Sequence, residues 1–173
     1  PLYIYICLGK PSGGHRTITK TPILYRLTCR HDQVRGNVKV WENSISTKFD
    51  SATKGKSVKI AALLRNFKAD VSSLCGDTPA ANLFDFEKCF DTIDQEALID
   101  MANTEHYPLK AACNAIQQHV GPRRVQVHNI TSNIVMTSVS IIAGCLHSVP
   151  FVKGYLREDI ENFNSIFPDA PME

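Results

Sequence analysis

The hydrophobic pattern changes period along the chain, and that change limits the folds open to it. Residues 2–8 are apolar, β-branched and aromatic, and 15–21 alternate, so both stretches read as strands. Pro11-Ser12-Gly13-Gly14 lies between them as a turn cluster in which glycine is free to take positive φ, which closes a hairpin. Pro22 suits the first turn of a short helix through Tyr25 and Leu27. Val38, Trp41 and Ile45 then lie at helical spacing within a polar stretch, 31–56. Ser57 is an N-cap residue for a longer helix whose Ile60, Leu64, Phe67, Val71 and Leu74 form one apolar stripe, ended by Gly76-Asp77-Thr78-Pro79. Residues 80–86 read as a short buried strand with Asp85 near its end. Helices follow over 92–102, with Asp94 as N-cap, and over 109–120, closed by Gly121-Pro122. Residues 123–128 and 134–139 alternate as the arms of a second hairpin, Gly144 breaks the chain, and a last helix runs through Phe151, Tyr155, Leu156, Ile160 and Phe163. The order is neither a strict βαβ alternation nor all-helical, which points to an α+β domain.

A length of 173 residues suits one domain with a sizeable core. No apolar run approaches the roughly 18 residues a spanning helix needs, so no membrane partner is expected. The six cysteines lie far apart without a CxxC pair, which argues for reduced thiols and an intracellular setting, nucleus or cytoplasm. The sequence opens at Pro1 without methionine or signal peptide, as a fragment does. The net charge of +2 conceals an asymmetry: residues 1–59 balance at +8 and residues 60–173 at −6. A basic first third beside an acidic remainder suits a polyanion-binding surface next to a carboxylate metal site; dispersed surface charge is the plain alternative.

Several clusters can carry chemistry. In Phe84-Asp85-Phe86-Glu87-Lys88-Cys89-Phe90-Asp91-Thr92-Ile93-Asp94, a carboxylate ending an apolar strand is costly unless a cation compensates it. The other reading is an acidic, helix-capping turn built on Asp91 and Asp94. Phe90 is either the floor beside a bound sugar or core. Arg123 and Arg124 either touch phosphate or guard a hairpin edge. Cys89 and His147 form a thiol–imidazole pair if they meet, although Cys89 also suits a small core position. Gly55-Lys56-Ser57 lacks the first glycine of a phosphate loop, since Asp50 stands there. The six histidines show no ligand spacing, and most of them read as surface or loop residues.

The window at 84–94 resembles motif A of reverse transcriptases, D-x-x-x-x-F-D-x-I/V, as found in non-LTR and group II intron-like retroelements. Further matches follow the family order. Residues 8–18 with Tyr25-Arg26-Leu27 resemble the fingers segment L-P-K-P-x-G-G-x-R-P-I…Y-R-L. The turn before the 57–74 helix resembles the G-x-S segment ahead of motif A. Residues 124–148 resemble the hairpin and motif B. The form A-G-C-x-H-S-V-P at 143–150 is similar to divergent retroelement polymerases of protist, especially dinoflagellate, genomes.

The resemblance implies a right-hand polymerase, with 1–79 fingers-like and 80–173 palm-like. It implies two-metal nucleotidyl transfer with Mg²⁺ (or Mn²⁺), dNTP, an RNA template and a DNA primer. Asp85 matches the catalytic metal ligand, and the Phe86 carbonyl a second metal contact. Lys10 and Arg16 match fingers cations that hold the triphosphate. Phe90 matches the aromatic gate against a 2′-hydroxyl, and Gly144 and Ser148 match the motif-B turn near the nascent base pair. Two departures stand out. Ala143 occupies the usual glutamine position, and no Asp-Asp pair for motif C occurs in the chain. The expectation is a polymerase fragment truncated before the motif C hairpin and inactive alone; a catalytically dead nucleic-acid-binding remnant is the alternative.

Overall fold

The computed structural model describes residues 3–11, 13–47, 50, 55–81 and 86–168; the side chains of Tyr3, His15 and Arg16 lie outside that description. Strand β1 (Tyr3–Gly9) and strand β2 (His15–Lys20) pair antiparallel, Ile6 facing Ile18. Gly13 and Gly14 take φ of 85° and 80° in the tight connection, a region costly for residues with a Cβ. Helix α1 (Ile23–Arg35) runs longer than the short helix expected after Pro22. Cys29 and Asp32 extend its buried face beyond Tyr25 at spacings of four and three, and Gly36 with Asn37 at φ 64° ends it. Helix α2 (Val38–Ile45) buries Val38, Trp41 and Ile45, the expected stripe.

Helix α3 (Val58–Leu74) starts where Ser57 Oγ accepts the Ile60 amide, as its sequence predicts. It buries none of its residues. The expected strand over 80–86 falls largely outside the described residues, Asp85 with it; Ala80, Ala81 and Phe86 belong to no strand. A single turn, α4 (Cys89–Thr92), precedes helix α5 (Gln95–Thr104), capped by Asp94 Oδ1, which accepts the Glu96 and Ala97 amides. Helix α6 (Leu109–His119) turns Ala111, Ala112 and Ala115 inward.

The second hairpin differs from expectation. Strand β3 (Arg123–Val127) pairs with a two-residue β4 (Ile130–Thr131) across a tight turn at His128, φ 54°. Residues 134–139 form no strand; they meet the rest only through single bridges, Val135 with Arg123 and Val139 with Asp94. The side chain of Ser132 takes over the ladder here, since its Oγ accepts the Val125 amide at 3.0 Å. Strand β3 also lies parallel to β1, Tyr5 beside Val125, so the sheet order is β2-β1-β3-β4. A parallel pair requires a crossover, and all of α1 to α6 provides it. Helix α7 (Ser148–Ile166) closes the described chain. The molecule is therefore mixed α+β, and a strand from each side of position 79 shares one sheet. No helix among the described residues is long and apolar enough to cross a membrane.

By contacts the chain forms two compact units, 1–45 with 88–161 and 46–87 with 162–173. The first holds the sheet and two apolar clusters. The larger joins α2, α5, α6 and the start of α7 around Phe151, which is fully buried. Tyr107 packs on Phe151 at 4.9 Å between ring centres and on Trp41 at 4.5 Å. The smaller cluster joins Tyr5, Tyr25, Cys29, Ile142 and Cys145. The second unit contains α3, whose Ile60, Leu64, Phe67, Val71 and Leu74 are all exposed.

Candidate functional site around the Gly144 turn

Residues 140–148 connect the end of the β3–β4 region to α7, and buried polar groups hold nearly every one of them. Ser140 has φ of 98°, a conformation that costs a residue with a Cβ on the order of 1–3 kcal/mol and persists where its surroundings fix it. Two side chains fix it. Arg123 donates from Nη1 to Ser140 Oγ at 2.9 Å and from Nη2 to the Ser140 and His119 carbonyls at 2.9 and 2.5 Å. Gln95 Nε2 donates to the same two carbonyls at 3.0 and 3.1 Å. Each carbonyl thus accepts from both donors. Burial lowers the Arg123 pKa, opposed by Tyr5 and Asp91; its guanidinium lies 5.3 Å from the Tyr5 ring centre.

The bonding continues along the segment. The Ile141 amide donates to the Phe90 carbonyl at 2.8 Å, and the Ile142 amide to His119 Nδ1 at 2.7 Å. Ser148 Oγ donates to the Ile142 carbonyl at 2.6 Å. Tyr25 Oη lies 3.0 Å from Cys145 Sγ, and Tyr107 Oη 2.7 Å from His147 Nδ1. His147 Nε2 faces Asp32 Oδ2 at 3.9 Å. Burial lowers the His147 pKa, against the pull of Cys145 and Asp32. Within this frame Gly144 is exposed at φ 93°, with open space where a Cβ would stand. A groove of about 400 Å³, to which Leu146 of this segment contributes, opens between α1, α2 and the start of α7. Arg30, Lys39 and Glu42 line it with Val34, Leu146 and Val149; Glu42 pairs with Lys153 at 2.6 Å, and neither Arg30 nor Lys39 meets a carboxylate among the described residues.

The residues singled out by sequence fall in different places. Gly144 and Ser148 share the turn, but Ser148 is buried and holds Ile142 rather than facing outward. Phe90 is half-buried against the larger cluster, with its carbonyl on Ile141. Lys10 is exposed at the β1–β2 turn, where its amide and carbonyl bond to Gly14 and Gly13. The backbone of Arg16 pairs with Leu8; its side chain lies outside the described residues, as does Asp85. Phe86 is exposed. Arg123 is buried with both terminal nitrogens bonded inside, so it acts here as a clamp, while Arg124 is half-buried. Cys89 is half-buried on α4, and the partners of His147 are Tyr107 and Asp32.

His119 and His147 depart from the surface or loop role expected for most of the histidines: both are fully buried, and each imidazole has a partner for Nδ1 inside. The bonding roles of Gln95, Tyr25, Asp32 and Tyr107 escape sequence reading; their partners lie 24 to 120 residues away or across helices, and no local spacing marks them. Among the described residues no group of three or more His, Cys, Asp or Glu is placed to hold a metal ion. No family model matches the chain, and no curated protein matches it significantly.

Proposed function

We propose that the chain is the fingers and part of the palm of an RNA-directed DNA polymerase, a reverse transcriptase, and that its turn at Gly144 faces a template–primer duplex. The observation that carries the reading is the meeting of two motif regions. The Phe90–Gln95 stretch that follows Asp85 is bonded to the stretch that leads into Gly144. Ile141 N–H donates to Phe90 O at 2.8 Å, Ser140 N–H to Ile93 O at 2.8 Å, and Gln95 N–H to Ser138 O at 3.2 Å. A segment held by this many buried polar groups, with a glycine displayed at its apex, is pre-organised as a binding surface must be. The parallel β1–β3 pairing adds a sheet that carries the exposed Lys10 at one hairpin turn.

In this reading Lys10 and Arg16 bind the triphosphate of a dNTP, Phe90 lies beside its sugar, and Arg124 lies toward the duplex backbone. Asp85 and the Phe86 carbonyl hold Mg²⁺ or Mn²⁺, which when bound neutralises phosphate charge. Nucleotidyl transfer needs more carboxylate than one aspartate supplies. The 173-residue chain alone therefore extends no primer.

The test is binding of a fluorescent RNA–DNA hybrid to the full chain, read by anisotropy across salt. The hybrid is expected to bind at about 50 mM salt and to weaken steeply by about 200 mM, as counterion release requires. Lys10→Glu weakens it further. No binding at low salt overturns the reading. Joining an Asp-Asp hairpin after Glu173 then separates a polymerase from an inactive remnant: Mg²⁺-dependent extension that Asp85→Asn abolishes identifies the former.

A further inference from the structure

We propose that the groove between α1, α2 and the start of α7 docks a short acidic segment of a partner protein. An aliphatic side chain of that segment seats on Val34, Leu146 and Val149, and carboxylates flanking it pair with Arg30 and Lys39. This stands independently of the polymerase reading.

Near neighbours in sequence build the walls. Arg30 and Val34 lie four residues apart on α1 and so share one face. The chain then turns at Gly36 and Asn37, the latter at φ 64°, and α2 brings Lys39 and Glu42, three residues apart, to the same groove. Leu146, Val149 and Pro150 complete it from the turn and the first residues of α7. Two polar tethers hold these elements to one another. Gln33 Nε2 donates to the Leu146 carbonyl at 3.2 Å, and Lys153 Nζ donates to Glu42 Oε1 at 2.6 Å. Val38 and Trp41 of α2 and Phe151 of α7 also share the larger apolar cluster. A groove held in shape this way spares its ligand the cost of ordering it.

The lining joins two chemistries. Val34, Leu146 and Val149 are exposed, yet they gather from separate elements into one concavity of about 400 Å³. Scattered exposed aliphatic residues need no explanation, whereas a concave group rimmed by charge marks a docking site. Arg30 and Lys39 are that rim. Both are exposed, and neither meets a carboxylate among the described residues, since Glu42 is already paired with Lys153. The groove also lies at the N-terminal end of α7, where aligned peptide dipoles favour an anion. Uncompensated positive charge beside an aliphatic floor calls for a ligand that is anionic and apolar together.

A nucleic-acid strand answers that demand less well. None of the residues lining the groove is aromatic, so no base finds a ring to stack on, and two cations follow few phosphates. A peptide can carry an aliphatic anchor and, one helical turn to either side, carboxylates on the same face.

The experiment pans the biotinylated full chain against a random dodecapeptide display, then titrates the most enriched peptide, synthesised with a fluorophore, by anisotropy. Enriched peptides are expected to carry leucine, isoleucine or valine with aspartate or glutamate within one helical turn. Arg30→Glu and Lys39→Glu should each weaken the peptide on the order of tenfold. Val149→Asp should abolish binding, and Lys110→Glu, the same charge change on α6 outside the groove, should leave it unchanged. In the wild-type chain the peptide should shift the methyl NMR signals of Val34, Leu146 and Val149, a readout that needs no variant to fold. No enriched peptide, enriched peptides without acidic residues, unmoved methyl signals, or undiminished affinity in Arg30→Glu and Lys39→Glu overturns the proposal. Tighter binding of a single-stranded RNA than of the peptide, with the same methyl shifts, overturns it too and assigns the groove to nucleic acid.

Discussion

Helix α3 and the segment 140–148 reach order by opposite means. Helix α3 is regular, carries its own N-cap at Ser57 and a glycine stop at Gly76, and buries nothing. The segment 140–148 has no repeating backbone pattern, includes two residues at φ beyond 90°, and is fixed by side chains from α1, α5, α6 and β3. The contrast teaches that regular structure forms from near neighbours, whereas a displayed turn requires distant residues to converge. Damage to the distant donors of the turn should therefore unfold the first unit, and damage to the α3 surface should do little.

Among the donors that hold the turn, the largest effect is expected at Arg123. Arg123→Met removes three hydrogen bonds to Ser140 and His119 and leaves the Ser140 backbone strain less supported. A loss of about 3 kcal/mol is expected from urea unfolding monitored at Trp41. Arg123→Lys is not a rescue, because one ammonium cannot match the planar fork that reaches a hydroxyl and two carbonyls. A loss below about 1 kcal/mol would show that Gln95 alone holds the turn, and the contrast with α3 would weaken.

Gly144→Ala is expected to cost about 1–2 kcal/mol. The site has room for the methyl group, so the whole cost is conformational: φ is 93° and nothing lies near the added Cβ. The calorimetric shift should therefore persist in a Cys145→Ala background, where the packing below the turn is altered. A cost that vanishes in that background would mean the turn is not rigid.

The pH profile sharpens the same point. Burial lowers the His147 pKa in the folded protein from its ordinary 6.5, so the unfolded chain binds the extra proton first. Stability from this group is complete above about pH 6.5 and declines as pH falls from there toward the folded pKa. The slope cannot exceed about 1.4 kcal/mol per pH unit for one proton. Urea midpoints measured between pH 7 and pH 5 should fall, and His147→Gln should flatten that decline. An unchanged slope in the variant would assign the effect to another group.

How much of this was legible beforehand follows from the same contrast. Ser57, Asp94, Gly76 and the Trp41 stripe announce themselves, because a cap or a helical face is written within a few residues. The β1–β2 hairpin is equally local. The second hairpin differs from its sequence pattern because Ser132 Oγ replaces a ladder partner, β4 is only two residues long, and 134–139 lie outside the sheet. The burial of His119 and His147 was invisible for a related reason. Their partners, Ile142 and Tyr107, stand 23 and 40 residues off, and only the assembled fold brings them together. Arg123 reads as a phosphate contact or an edge cation, because the Ser140 hydroxyl and carbonyl that meet its guanidinium stand 17 residues away and only the His119 carbonyl is local.

The smallest effect is expected at Phe67. Its ring is 63% exposed on α3, so replacing it by serine removes little buried area and leaves no cavity. Phenylalanine and serine have similar helix propensity, which removes the other source of change. Phe67→Ser should therefore stay within about 0.5 kcal/mol of the parent chain. Phe151→Ala provides the internal standard: that ring is fully buried among Tyr107, His119 and His147, and its loss should cost about 3–5 kcal/mol. Both variants can be compared in one urea series at fixed protein concentration. If Phe67→Ser cost more than about 1.5 kcal/mol, the α3 stripe would be covered in solution, and the division between a self-sufficient helix and a turn held from afar would fail at its simpler end.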